Sequence, residues 1–307
     1  FFPAQTPNEG TFILQLLPSD ELFSVNSINT RLRTVVKPEM IFRNNTGGLP
    51  NILSNIEWTS VLEIREQNRE ASLTDILFFN FRSYQNSNNT IDGRIFWLQD
   101  FRLFRPYRNI DSRISIDGSK GMRRRSAGLE ESRSSTIRIE NSYRFLRRWS
   151  ASLELNKGKN ELISEQLLSR SYQIEFAGVK PSLRYDYTRS LQIGTGLSYN
   201  QRRDVLPQIP ARLNAYTVFS DVNWFYRNKL QAFFRIEYRS NQLRGLSSPT
   251  GAFELTDGAG VGNTWMWSVQ GTYRINEYLR ASLNYDGRTV TDRPAIQTMR
   301  FSLNAIF

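Results

Sequence analysis

Thr298-Met299-Arg300-Phe301-Ser302-Leu303-Asn304-Ala305-Ile306-Phe307 has a period of two. Met299, Phe301, Leu303, Ala305 and Phe307 form one set. Thr298, Arg300, Ser302 and Asn304 form the other, and only Ile306 breaks it. Successive side chains of a strand point to opposite faces, so this stretch reads as a strand with one apolar and one polar face. The preceding segment repeats the pattern, with Leu279, Ala281, Leu283 and Tyr285 set against Arg280, Ser282, Asn284 and Asp286. Before it, Trp265, Trp267, Val269, Gly271 and Tyr273 alternate with Met266, Ser268, Gln270, Thr272 and Arg274.

The alternation extends back to residue 53. It predicts about twelve strands, the first carrying Ile56, Trp58, Leu62 and Ile64. Within 170–187 the apolar set passes from Tyr172, Ile174 and Phe176 to Val179, Pro181, Leu183, Tyr185 and Tyr187. One extra residue near Ala177-Gly178, a β-bulge, would produce that change of phase. Residues 1–52 are irregular, with Pro3, Pro7, Pro18, Pro38 and Pro50. They are expected to be a linker, a plug, or one or two further strands drawn from runs at 11–17 and 30–42. The second unit, 53–307, is expected to be the sheet itself, giving 12–14 strands in all.

The connections alternate in length. Short ones fall at 146–148, 188–190, 227–228 and 276–278, with a slightly longer one at 106–109. Long ones fall at 70–92, 118–134, 157–169, 201–211, 240–262 and 287–296. An up-and-down meander whose two ends meet different compartments gives this rhythm.

A water-facing sandwich also alternates, but its strands average ~5–6 residues. These run to ten or more, close to the ~9–11 that a tilted membrane strand needs. Aromatics sort to the strand ends. Trp58, Tyr143, Trp149, Tyr187, Trp224, Tyr226 and Tyr273 lie toward the short turns. Trp97, Tyr172, Tyr199, Tyr238, Trp265, Trp267 and Tyr285 lie toward the long loops. Two aromatic belts around an aliphatic band mark the interfaces of a bilayer. The mean hydropathy of -0.49 averages two unlike faces.

The 307 residues contain no Cys and no His, which excludes disulfides, thiolate metal sites and His-dependent triads. Net charge is +11, yet only six of the 40 basic residues are Lys, and Arg is spread along the whole chain. No localised basic patch of the nucleic-acid-binding kind stands out, so no nucleic-acid partner is expected. The chain opens Phe1-Phe2-Pro3-Ala4 with no basic n-region and no apolar run, an abrupt start expected of a piece of a longer chain.

The terminal segment Thr298–Phe307, alternating and ending in Phe, resembles the barrel-assembly signal of bacterial outer-membrane β-barrel proteins. Phe301, Leu303 and Phe307 are the residues that carry it. The resemblance covers about residues 53–307. It implies an all-β, transmembrane, antiparallel up-and-down β-barrel with short periplasmic turns and long extracellular loops. It also implies residence in the bacterial outer membrane and contact with its lipid, including lipopolysaccharide. Insertion by the barrel-assembly machinery and association with other outer-membrane or periplasmic subunits follow from the same likeness. The loops and Arg/Tyr-rich strands are also similar to very large barrels of the gliding-motility and type IX secretion translocon kind.

On this reading Arg138, Glu140, Arg144, Glu154, Glu175, Arg184, Asp186, Arg235, Glu237, Arg274, Arg280, Asp286 and Arg300 are expected to face a lumen. Arg-carboxylate pairs across strands would stabilise the wall, and net positive potential would favour anions. Arg123-Arg124-Arg125 and Arg202-Arg203 are expected in long loops, where they could meet lipid phosphates or an acidic partner. The Gly-rich stretch 247–262 reads as a flexible loop without a phosphate-loop Lys. The cluster Ile76, Leu77, Phe78, Phe79 and Phe81 is too apolar for a free loop. Outer-membrane enzyme families use a His by their family pattern, so no catalytic, metal or cofactor site is expected. The reading is a pore wall for transport or secretion. An autotransporter-type translocator and an occluded structural or adhesive barrel are its alternatives.

Overall fold

The structure is a computed structural model and describes residues 25–39, 55–69, 84–86, 88–103, 109–125, 128–207, 210–227, 229–291 and 294–305. Thirteen strands form one antiparallel sheet in chain order, each paired with its sequence neighbours. They are β1 (Asn26–Val36), β2 (Glu57–Asn68), β3 (Thr90–Leu103), β4 (Ile110–Arg125), β5 (Gly128–Leu146), β6 (Trp149–Ser164) and β7 (Tyr172–Asp186). Then follow β8 (Leu191–Asp204), β9 (Ala211–Tyr226), β10 (Leu230–Arg244), β11 (Gly262–Arg274), β12 (Leu279–Val290) and β13 (Ile296–Ala305). No pairing joins β1 to β13, so the sheet is unclosed among the described residues. No helix among them is long and apolar enough to cross a membrane.

β1 comes from the N-terminal segment and pairs with β2 from Asn26–Asn68 to Val36–Trp58. The run at 11–17, the cluster Ile76–Phe81 and the terminal Phe307 lie outside the described residues.

Several strands outrun the expected bounds. β4, β5 and β6 are 16, 19 and 16 residues long, more than a bilayer requires. Most of 118–134 and 157–169 is therefore ladder, not loop. Arg123-Arg124-Arg125 forms the end of β4, where Arg123 meets Asp92 at 3.2 Å and Arg125 meets Glu130 at 2.7 Å.

The two faces differ as the alternation requires. Met299, Phe301 and Leu303 are 68%, 64% and 55% exposed, although they are the apolar set of β13. Leu197, Val218, Phe234 and Trp265 are exposed on the same face. A sandwich would bury this face against a second sheet. Among the described residues nothing covers most of it, as expected of a surface whose solvent is lipid. On β9, Tyr216 and Tyr226 bracket the band. They stand about 33 Å apart along the strand at ~3.3 Å per residue. A tilt of about 40° reduces that to about 25 Å, the height of an outer-membrane apolar band.

Ring pairs mark both ends of the band. Trp149 and Tyr185 lie 4.5 Å apart near the short turns. Tyr199–Tyr216 at 5.0 Å and Tyr238–Trp265 at 4.9 Å lie near the long connections. Small residues make room for indoles lying flat on the sheet. A Cβ on Gly118 would sit 2.6 Å from Trp97, and one on Gly287 would collide with Trp267. Each glycine is the direct cross-strand partner of its tryptophan.

The expected bulge at Ala177-Gly178 is absent. β7 keeps one register against β6 from Trp149–Tyr185 to Leu162–Tyr172, and against β8 from Ile174–Asp204 to Asp186–Gln192. Tyr172, Ile174 and Phe176 therefore share the polar face with Arg184 and Asp186. Tyr172 does not belong to the aromatic belt. The apolar set changes face because the polar face is covered at this end of the sheet.

Candidate functional site

The cover is the β10–β11 connection. Ser248-Pro249-Thr250-Gly251 opens a helix, α1 (Pro249–Leu255), with Ser248 as N-cap accepting the Gly251 N–H at 2.9 Å and proline at the first turn. Left-handed Asp257 and Gly258 (φ 51 and 70) end it. Leu255 is fully buried against Ile174, Ala211, Leu213 and Ala215, with Tyr172 and Leu243 packed around them. This segment is therefore docked and not a free loop. The Ser-Pro step and the Asp-Gly stop were the sequence signals for it.

Charge fastens what the apolar contact seats. Arg202 on β8 forks onto both carboxylate oxygens of Asp257, with Nη2–Oδ2 at 2.6 Å. It also donates to the Glu254 and Leu255 carbonyls, at 3.1 and 3.2 Å, which neutralises the C-terminal end of α1. Asp204, two residues on, is 1% exposed. Its carboxylate accepts the Ser247 hydroxyl at 2.6 Å and the Gln173 and Leu206 N–H groups at 3.1 and 3.3 Å. One buried acid thus ties the start of β7 to the β8–β9 and β10–β11 connections. It was not among the expected site residues, because nothing in its neighbourhood foretells burial.

Beneath α1 lies a cavity of about 240 Å³, lined by Glu154, Lys180, Arg202, Phe219, Glu237 and Arg239 among others. Its floor is a chain of alternating charge. Arg138 and Lys180 flank Glu154 at 3.4 and 3.8 Å. Arg235 and Arg239 flank Glu237 at 2.9 and 3.0 Å. Between them lies the ring of Phe219, 5.4 Å from Lys180 and 4.5 Å from Arg235. Its cross-strand partner is Gly196, where a Cβ would lie 2.5 Å from the ring. Arg239 reaches on to Asp257 at 3.8 Å, joining the floor to the cover.

The register settles which face each expected residue occupies. Arg138, Glu140, Arg144, Glu154, Arg184 and Asp186 share the polar face of β5, β6 and β7. Arg235, Glu237, Arg274, Arg280, Asp286 and Arg300 share it on β10 to β13. Glu175 does not join them. It is aligned with Lys159 and Arg203 on the opposite face, and the bulge that would have turned it inward does not exist.

The polar-face residues do not form one lattice. On β3–β5, Asp100 holds Arg113 at 2.6 Å, and Glu140 is 4.0 Å from the same arginine. Arg144, Arg184, Arg274, Arg280 and Arg300 have no ion pair among the described residues. Arg280 directly opposes Arg274. The face therefore carries paired charge under α1 and unpaired positive charge at mid-strand Arg300 and, toward the short turns, at Arg144, Arg184, Arg274 and Arg280. Serine hydroxyls bridge strands in three places, Ser119–Ser134, Ser152–Ser182 and Ser282–Ser302, at 2.8, 2.5 and 2.6 Å.

Fold and faces define the class: an all-β, antiparallel up-and-down sheet of the transmembrane-barrel type. No protein-family model matches the chain, and no curated protein matches it. Among solved structures it is similar to CdiB from Acinetobacter baumannii, with 9% identity and a TM-score of 0.45 over 93% of this chain. It is also similar to the copper transporter OprC, with 10% identity and a TM-score of 0.41 over 87%. A third is the CymD monoaromatic hydrocarbon channel, with 8% identity and a TM-score of 0.35 over 92% of this chain and 87% of that one. The chain spans about half the length of the first two, 54% and 46%.

Proposed function

We propose that this chain forms the wall of an outer-membrane transport or secretion pore, with the docked β10–β11 connection as a constriction on its polar face. The observation that carries the reading is the apolar face of the sheet, largely uncovered among the described residues, with ion pairs and a cavity of about 240 Å³ on the opposite face. A protein that needed only to bury a core would not leave Met299, Phe301 and Leu303 bare. Unpaired arginines near the short turns give the polar face a positive potential, which favours anionic cargo. No step of covalent chemistry is assigned to it. The finer likeness, to gliding-motility and type IX secretion translocon barrels, rests on loop style and Arg/Tyr-rich strands.

A second reading is an occluded structural or adhesive barrel, and the inward docking of α1 favours it. Single-channel recording in planar bilayers separates the two. Stepwise conductance from the folded, inserted protein supports the pore. A folded, inserted protein that stays silent, even after the β10–β11 connection is undocked, sinks it.

A further inference from the structure

Beyond the apolar band, toward the long connections, the lipid-side face of β4 to β9 changes character. The register puts Lys120, Arg133, Lys157, Lys159, Arg203 and Arg212 there. Two grooves open at the boundary. One, of about 790 Å³, has Ile116, Ile137 and Ala177 on its apolar side and Lys157, Lys159, Arg203 and Arg212 on its charged side. The other, of about 700 Å³, runs from Ile95 and Trp97 to Lys120, Arg133 and Lys159. Small side chains at Ser135 and Ala177 keep the grooves open, and Lys159 borders both.

Part of the charge is left over for a partner. Lys157, Arg203 and Arg212 have no ion pair among the described residues. Arg133 and Lys159 are held by Glu131 and Glu161, each at 3.1 Å; Glu161 lines the smaller groove, and Glu175 is the one acid lining the larger. An apolar trough continuous with the lipid band, ending in clustered cations, matches a molecule with acyl chains at one end and phosphate at the other. A free anion would have no use for the apolar half. A neutral lipid would have none for the cations.

We propose that these grooves bind a phosphorylated lipid of the adjoining leaflet, its chains against Ile116 and Ile137 and its phosphates between Lys157, Lys159, Arg203 and Arg212. This rests on the membrane reading above. Held there, the lipid would neutralise the collar that the long strands project past the bilayer.

The test is native mass spectrometry of the full, folded chain in detergent, titrated with diphosphoryl lipid A, with the same lipid dephosphorylated, and with inorganic phosphate. The expected result is a retained adduct with the phosphorylated lipid, weakened about tenfold or more by dephosphorylation or by Lys157→Gln, Lys159→Gln and Arg203→Gln combined. The matching Lys157→Arg and Lys159→Arg protein should retain it. Equal retention of both lipid forms, or wild-type retention by the triple Gln variant, overturns the inference. So does competition by inorganic phosphate at the same concentration as the lipid, which would mark a plain ion site. Heat-modifiable migration and channel recording on the same samples keep the two readings apart. A protein that inserts and conducts without lipid preference sinks only the lipid site, whereas one that never inserts sinks both.

Discussion

Arg202 and Asp257 are separated by 55 residues in the chain and joined by a two-pronged ion pair, which fastens the β10–β11 connection to the polar face of β8. Asp257 is half exposed, so the pair adds little to global stability, about 1 kcal/mol at most. Its weight falls on the position of the connection. Arg202→Ala and Asp257→Asn should therefore leave thermal unfolding nearly unchanged while raising mean conductance. A large loss of stability without a conductance change would mean the pair is merely structural.

Leu255 is the apolar anchor of the same segment. Replacing a fully buried Leu by Ala typically costs about 2–5 kcal/mol. Because the cost falls on docking of a connection and not on the ladder, Leu255→Ala should expose that connection. Limited proteolysis between Ser247 and Val261 should accelerate about 30-fold or more. The folded band on unheated gels should persist. Cleavage at the wild-type rate would show that Leu255 does not hold the connection down.

Glu237 stands between Arg235 and Arg239 and offsets both. Glu237→Gln keeps the shape and removes the charge, which leaves two adjacent arginines on the cavity floor. The reversal potential in a KCl gradient should move toward that of chloride. Arg235→Gln should move it the other way. A shift of the same sign in both variants would place this cluster away from the ion path.

Trp97 and Trp267 lie on the apolar face over Gly118 and Gly287. In vesicles containing lipids brominated on the acyl chain, both indoles should be strongly quenched. Gly118→Val inserts a side chain where Trp97 lies, at a cost of about 1–3 kcal/mol for overpacking. It should shift the emission of Trp97 in a background where the other tryptophans are Phe. Bromine-insensitive fluorescence would put this face in water and undo the membrane assignment.

Strand number and face were readable because each strand in the band has one apolar side and one polar side, and a period of two survives any tertiary detail. Leu279 to Tyr285 and Leu230 to Tyr238 could be placed on that ground alone. Reading failed where the surroundings change along a strand. At Tyr172, Ile174 and Phe176 the apolar face moves inward, because Leu255 from a segment some 80 residues later packs there. A rule that assigns apolar residues to one side reads this as an inserted residue. The error at Glu175 has the same cause. Strand ends were misjudged for a related reason: beyond the band both faces are polar, so Lys120 and Arg133 look like loop although they sit opposite each other in a ladder. The charge pairs around Glu154 and Glu237 were visible as residue types on one face. Asp204 and the Arg202–Asp257 fork were not, since both depend on where a distant connection comes to rest.

Thirteen is an odd number, and in a meander that fixes the sense of the outer strands. β1 and β13 run in the same direction, so zipping one directly onto the other would create a single parallel seam in an otherwise antiparallel wall. An antiparallel seam requires an odd number of additional strands between them. Either way, the outer N–H and C=O groups of β1 and β13, which have no ladder partner among the described residues, cannot stay unpaired in hydrocarbon, where each would cost several kcal/mol. A closed barrel in a membrane would therefore have a circumference larger than these thirteen strands, or a parallel seam.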